Sequence, residues 1–259
     1  MFILTILTVR GMPTTLTEVT FTVGVPHLGE LISHFLSLQL QDNSSSAPEC
    51  DSDGNNSQND LTNANKLPRL PADLYIRCVP SAKATFYSPS DALDATGLLT
   101  EHIRAVDVWM NSHSRYDTVF LVRDDDNIQD SDDEDSEMDK KPGFLGLFVG
   151  RVRSFFSFQF EGTLYPCALI SEFTTFGNEP CPVTGMWRVT PDVDPVRRGP
   201  LYSVRHLDMI LRAAHLIGYT EAESCTQLPW DFSYEHTLDS FQTFYVNKYI
   251  DHHAYEIAF

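Results

Sequence analysis

No apolar run in the 259 residues reaches the roughly 18 needed to span a bilayer. Met1–Val9 is apolar but lacks the basic flank and small-residue cleavage pattern of a signal peptide. A soluble intracellular protein, nuclear or cytoplasmic and not secreted, is expected, with no membrane partner. Cysteine is scarce too: Cys50, Cys78, Cys167, Cys181 and Cys225 are widely spaced, without a C-x-x-C pair, so neither a zinc ribbon nor a disulfide framework is suggested. Free, buried thiols are the expectation. Basic residues number 18 against 36 acidic ones, a net charge of −18 that argues against a general polyanion binder. No G-x-S-x-G elbow or other local nucleophile pattern is present, and no cofactor is implied.

What the chain has in abundance is strand signal, densest between Phe144 and Val189. From Phe148 to Phe160 the even positions carry Phe148, Val152, Phe156, Phe158 and Phe160, and the odd ones Arg151, Arg153, Ser157, Gln159 and Glu161. That is the period of a half-buried strand. Glu161-Gly162 then suits a tight hairpin turn, and Leu164 to Ile170 returns apolar on both faces, as inside a sheet. After the turn chemistry of Pro180 to Gly185, Met186–Val189 resumes the pattern, so three adjacent antiparallel strands are expected.

Around this block the chain divides into an N-terminal segment, 1–40, a linker, 41–66, and a β-rich domain, 67–259. Leu28, Leu31, Ile32, Phe35 and Gln39 recur at helical spacing behind Pro26, predicting an amphipathic helix that docks on the domain's own core. Residues 41–66 are rich in Asn, Ser, Asp and Gln and too poor in apolar surface to offset their ordering entropy, so disorder is expected there. Strands are expected at 74–79, 84–87, 116–122 and 202–204, a short helix at 98–109 on Leu99, Ile103 and Val106, and a helical turn or two across 207–214. From Leu238 the positions Phe241, Tyr245, Tyr249, His253 and Ile257 fall near one helical face, predicting a long C-terminal helix over 238–258 with Thr237 as N-cap.

Ten acidic and no basic residues lie between Asp124 and Asp139, leaving −8 for the rest of the chain. The insertion 124–142 is expected to be solvated and disordered, because like charges repel and no aromatic residue anchors them. The sharper alternative is an acidic tract that meets basic histone tails or mimics nucleic acid, its charge deepened by phosphorylation at Ser131 or Ser136. Asp251-His252-His253 and the pair His206 and Asp208 could supply metal ligands, but adjacent helical residues point about 100° apart, so no metal site is assigned. Arg151, Arg153, Arg197, Arg198, Arg205 and Arg212 are the arginines grouped within one region and are the candidate phosphate-facing edge.

Four long blocks, GRVRSFFSFQFEGTLYPCAL, PVTGMWRVTPDV, YSVRHLDMILRAAHLIG and LDSFQTFYVNKYIDHHAYEIAF, resemble in order and spacing the C-terminal region of the Plavaka transposon proteins of mushroom-forming fungi. The resemblance extends to RYDTVFLV at 115–122, HIRAVDVW at 102–109 and AKATFYSPSD from Ala82, and more weakly to the helix from Pro26. Met1 to about Gly11 lies outside it, which leaves Met12 as an alternative start. It implies a piece of a transposase-like protein without the ribonuclease-H-like core, whose three carboxylates would hold two metal ions for phosphoryl transfer. No enzymatic activity is therefore expected.

The expected architecture is α+β: a small, curved antiparallel sheet or partly open barrel of the SH3-like or bromo-adjacent-homology kind, with flanking helices. Two functions follow as expectations. One is a non-catalytic, transposon-derived accessory or interaction domain with a protein or chromatin partner. The other is a nucleic-acid-binding module of a transposase that contacts DNA through the arginine-bearing edge. Neither sets an oligomeric state.

Overall fold

The computed structural model describes residues 3–6, 14–45, 67–71, 73–88, 90, 96–110, 113–123, 144, 146–220, 228 and 230–258. The linker beyond 45, the acidic insertion, Cys50, Cys225 and the alternative start at Met12 lie outside the described residues. Strands β1 (Ile3–Ile6) and β2 (Thr14–Thr15) precede helices α1 (Leu16–Val23) and α2 (Leu28–Ser45). Next come β3 (Tyr75–Val79), β4 (Ser81–Tyr87), β5 (Leu98–Val106), β6 (Arg115–Tyr116) and β7 (Thr118–Val122). Two long strands follow, β8 (Leu147–Phe160) and β9 (Thr163–Thr175), then the short β10 (Arg188–Pro191), β11 (Tyr202–His206), β12 (Ile210–Ala213) and β13 (Leu216–Tyr219). Helix α3 (Thr237–Ser240), β14 (Thr243–Val246) and α4 (His252–Ala258) close the chain.

The fold is α+β, mostly strand, with a curled antiparallel half-barrel and a helix at the C-terminal end. Its axis is the β8–β9 hairpin. Glu161 (φ 49°) and Gly162 (φ 83°) turn between Phe160 and Thr163, both in the left-handed region that a two-residue hairpin twisting with its strands requires. On the β8 side the sheet continues through β7 to β12 and through β3 to β2; on the β9 side it continues through β10 to β14 and β13, with β11 beside the middle of β9. The expected order of three adjacent antiparallel strands is therefore found as β8, β9 and β10. A smaller sheet, β1-β4-β5-β6, packs over the half-barrel.

A β-bulge bends β8 in the middle. Val152 lies opposite Ile170 and Ser154 opposite Leu169, so Arg153 is one residue extra. An extra residue reverses the facing parity of everything beyond it. Phe148, Val152 and Phe155 consequently share a core with Ala168 and Ile170, whereas Phe156, Phe158 and Phe160 share another with Tyr165, Cys167 and Leu169. The single even face expected from Phe148 to Phe160 is thus two faces that meet at the bulge. Arg151, expected to point outward, is buried.

Helices α1 and α2 cover the second of those faces. Leu28, Ile32, Phe35 and Leu36 of α2 join the cluster of Phe156, Phe158 and Tyr165, each buried side chain worth about 1.5–3 kcal/mol in transfer free energy. Of the stripe predicted from Leu28, Leu31, Ile32, Phe35 and Gln39, Leu28, Ile32 and Phe35 are buried and Leu31 and Gln39 half-buried, and the helix expected from Pro26 begins at Leu28. It runs on to Ser45, five residues into the segment expected to be a linker. The face carrying Phe148 and Phe155 packs against Ala82, Ala84 and Ile103 of the smaller sheet. A third cluster gathers Phe120, Val149, Phe173, Trp187, Phe244, Val246 and Ala258 where β14 and α4 close the sheet.

Three helical expectations are corrected. Residues 98–106 form β5, because β4 pairs with it continuously from Ser81 opposite Arg104 to Tyr87 opposite Leu98. Thr100, Ile103 and Val106 are β-branched and suit that pleat. Across 207–214 only Leu207–Met209 turns, as one 3₁₀ turn in which the His206 ring accepts the Asp208 N–H, and the rest is β12 on β7. The 238–258 helix is interrupted by β14, which lies between β10 and β13. Phe244 and Val246 are buried with period two, and the helical reading had placed both off its apolar face. The C-terminal helix itself is real but spans only His252–Ala258.

Candidate functional site

The bulge opens a cleft. Arg153 and Ser154 on β8 form its base, and the end of β3 at Cys78 and Val79 continues it. One wall is α1, set by its termini: the Thr15 hydroxyl accepts the Glu18 N–H (3.3 Å), Glu18 Oε2 accepts the Thr15 N–H (2.8 Å), and Gly24 closes the helix at φ 69°. The other wall is the β5–β6 corner, with Ala105, Val106, Asp107 and Tyr116. The cavity measures about 350 Å³, at the small end of the range of ligand pockets. Val19, Val23, Val79, Pro80, Ala105 and Val106 give it apolar surface, and Thr14, Thr22, Glu18, Asp107 and Arg153 give it polar groups.

Tyr116 organises the charges here. Its hydroxyl donates to Asp107, and the Arg153 guanidinium carbon lies 4.3 Å from the centre of its ring. Arg151 approaches the same ring at 5.7 Å but is committed elsewhere, donating to Asp239 at 2.6 and 3.2 Å. Burial, then the hydrogen bond and charge of Asp107, push the Tyr116 phenol up to about 12, against the pull of Arg153 and Arg151. Burial likewise raises the Cys78 thiol, opposed by the Ser154 hydroxyl. Asp239 is held below the usual carboxylate range: burial alone would raise it, but the Arg151 hydrogen bonds and the charges of Arg151 and Arg153 outweigh that.

The six arginines singled out in the sequence occupy separate places. Arg151 and Arg153 meet at Tyr116. Arg197 binds Asp194 (3.1 Å) and Glu30 (2.7 Å), and beside it the exposed Arg198 takes a positive φ in the loop between β10 and β11. Arg205 binds Glu172 at 2.9 Å. Arg212, only 5% exposed, binds Asp251 at 2.6 Å and approaches Glu101 at 3.5 Å. Five carboxylates therefore neutralise Arg151, Arg197, Arg205 and Arg212 within the fold, with Glu101 a longer sixth contact, and a continuous phosphate-facing row is not assembled. Arg153 has no carboxylate partner among the described residues.

Two features were not found by sequence reasoning. Arg104 (4.4 Å) and Arg115 (5.3 Å) both stack on Trp109, adjoining the cleft. Reading 98–109 as a helix concealed this, since only the β5–β6 hairpin brings Arg115 back beside Trp109. The second is Cys181, held at a turn where Thr184 and Tyr245 side chains, then the Thr184 and Val183 N–H groups, bring its thiol down to about 6. Cys167, by contrast, is the buried thiol that was expected.

Of the metal-ligand candidates, His252 pairs with Glu256 at 3.1 Å, His206 with Asp208 at 3.2 Å, and His253 stacks on Phe86 at 4.5 Å. Among the described residues no group of three or more His, Cys, Asp or Glu could hold a metal ion. Nor is any described helix long and apolar enough to cross a membrane. No protein-family model, no characterised protein and no solved structure matches the chain.

Proposed function

We propose that this chain is a non-catalytic interaction domain, an accessory part of a transposon-derived protein that works in the nucleus or cytoplasm and docks a protein or chromatin partner in the cleft at the β8 bulge. The observation that carries the reading is the state of Arg153. A bulge, a device that re-aims side chains beside functional sites, brings a guanidinium to the cleft, while Arg151, which approaches the same Tyr116 ring, is spent on Asp239. A half-buried arginine over an aromatic face, next to apolar surface, is the composition of an interface anchor. The transposon origin rests on the resemblance of the four sequence blocks.

A photo-reactive phenylalanine analogue at position 22 on α1 tests the docking reading. Cross-links in cell extract should concentrate on one protein, disappear in an Arg153→Gln background, and be absent when the probe is moved to position 159 on the β8–β9 hairpin. Equal labelling from both positions would sink the proposal.

The nucleic-acid reading retains one supporting observation, the interleaving of Arg104 and Arg115 with Trp109 and of Arg151 and Arg153 with Tyr116. Arginine stacked on aromatic rings is a platform for single-stranded bases. It predicts binding to labelled oligonucleotides that weakens steeply as salt rises. Salt-independent, negligible binding would leave the interaction-domain reading alone.

A further inference from the structure

We infer that the occupant of the cleft is the C-terminal end of a partner polypeptide, one that finishes in an aliphatic residue preceded by basic ones. This rests on the reading of the cleft as a docking site for a protein. Charge complementarity is the argument. The cleft presents three ionic groups, and two of them are engaged locally: Glu18 accepts the Thr15 N–H and hydroxyl in the α1 cap, and Asp107 accepts the Tyr116 hydroxyl. Arg153 lies over the Tyr116 ring and its charge reaches Asp239, whose carboxylate is hydrogen-bonded to Arg151; among the described residues no carboxylate hydrogen-bonds Arg153 itself, so what the cleft lacks is an anion bound to the Arg153 fork.

The surface beside Arg153 is aliphatic, formed by valines 19, 23, 79 and 106. An apolar side chain and a carboxylate that branch from one carbon match that juxtaposition, and the last residue of a peptide has both. Glu18 and Asp107 set two carboxyl groups in the lining, and the chain as a whole carries −18. A purely anionic ligand is repelled by that field, whereas Lys or Arg just before the terminal residue is attracted by it. The volume of about 350 Å³ suits a chain end and is small for a helix laid in a groove.

Fluorescence polarisation on the full chain tests this with three labelled hexapeptides: Gly-Lys-Lys-Ser-Val-Leu with a free carboxylate, the same peptide as its C-terminal amide, and Gly-Glu-Glu-Ser-Val-Leu with a free carboxylate. The basic acid form should bind saturably, and the amide and the acidic peptide about tenfold more weakly or worse, the scale of one lost charged hydrogen bond. Arg153→Gln should erase the difference between acid and amide, and Arg153→Lys should fall between, because an ammonium keeps the charge and loses the fork.

Equal binding of acid and amide in the wild type overturns the chain-end inference while leaving the cleft a docking site. Displacement of the probe by decanoate but not by unlabelled peptide overturns it in favour of a fatty-acid site. Failure of all three peptides to bind also overturns it, and the cross-linking at position 22 then decides separately whether the docking reading falls too.

Discussion

Arg212 lets the structural role of the arginines be separated from a ligand-binding one. Its guanidinium is 5% exposed, donates to both Asp251 oxygens at 2.8 and 2.6 Å, lies 4.6 Å from the centre of Phe86 and approaches Glu101 at 3.5 Å. Asp251 also accepts the Ala254 N–H at 2.7 Å, so one carboxylate ties β12 to the start of α4. Asp251→Asn keeps the shape and the cap acceptor and removes the charge. Breaking a buried pair costs about 3–5 kcal/mol. Here Asp251 is a quarter exposed and Glu101 remains nearby, so about 2–3 kcal/mol is expected, a substantial part of the ~5–15 kcal/mol of a typical domain.

Glu101→Gln should behave oppositely. Burial pushes the Glu101 carboxyl above its usual range by more than Arg212 pulls it down. A raised folded value means stability that is complete below the unfolded value of about 4.5 and lost as pH rises through the folded one. The neutral amide removes that loss and keeps an oxygen for the Ala213 N–H, so stability at pH 7 should be unchanged or higher. Urea denaturation at pH 7, repeated at pH 5, measures both variants. Comparable losses from the two substitutions, or less than about 0.5 kcal/mol from Asp251→Asn, would refute the network as drawn.

Phe156→Ala and Phe158→Ala should each cost about 3–5 kcal/mol and depress expression, while Ser157→Ala and Gln159→Ala stay within about 0.5 kcal/mol, because only the phenylalanines enter the core under α2; thermal melts of the four check the facing. Iodoacetamide with peptide mass spectrometry should label Cys181 with a pH midpoint near 6 and leave Cys167 unlabelled, and Tyr245→Phe should move that midpoint upward by removing one hydrogen bond to the thiolate. Glu161→Asn should raise stability by up to about 1 kcal/mol, since Asn tolerates the positive φ that Glu161 holds in the β8–β9 turn; an unchanged urea midpoint would contradict the turn assignment.

Alternation placed β8, and apolar runs of strand length placed β3, β7 and β9, since these signals are local to each segment. The helical stripe of α2 was readable for the same local reason. Spacing alone could not separate helix from strand at 98–106 and 243–246, where apolar residues are frequent enough that Leu99, Ile103 and Val106, or Phe241 and Tyr245, mark a helical face within a short window; the deciding term was the partner strand. The cleft shows the same division. Arg153 was singled out as one of six arginines, but sequence could not say that Arg151 and Arg212 would meet Asp239 and Asp251, which are 88 and 39 residues away.

By itself, then, the sequence determined the elements whose signal is local: the amphipathic α2, the strand-rich core, the Glu161-Gly162 hairpin and the α+β class they imply. Only the tertiary structure decided the bulge at Arg153, because an extra residue exists solely relative to a paired strand, and with it which phenylalanines share a face. It also decided which arginines are held by carboxylates within the fold, since ion pairing depends on distances that the order of residues does not encode.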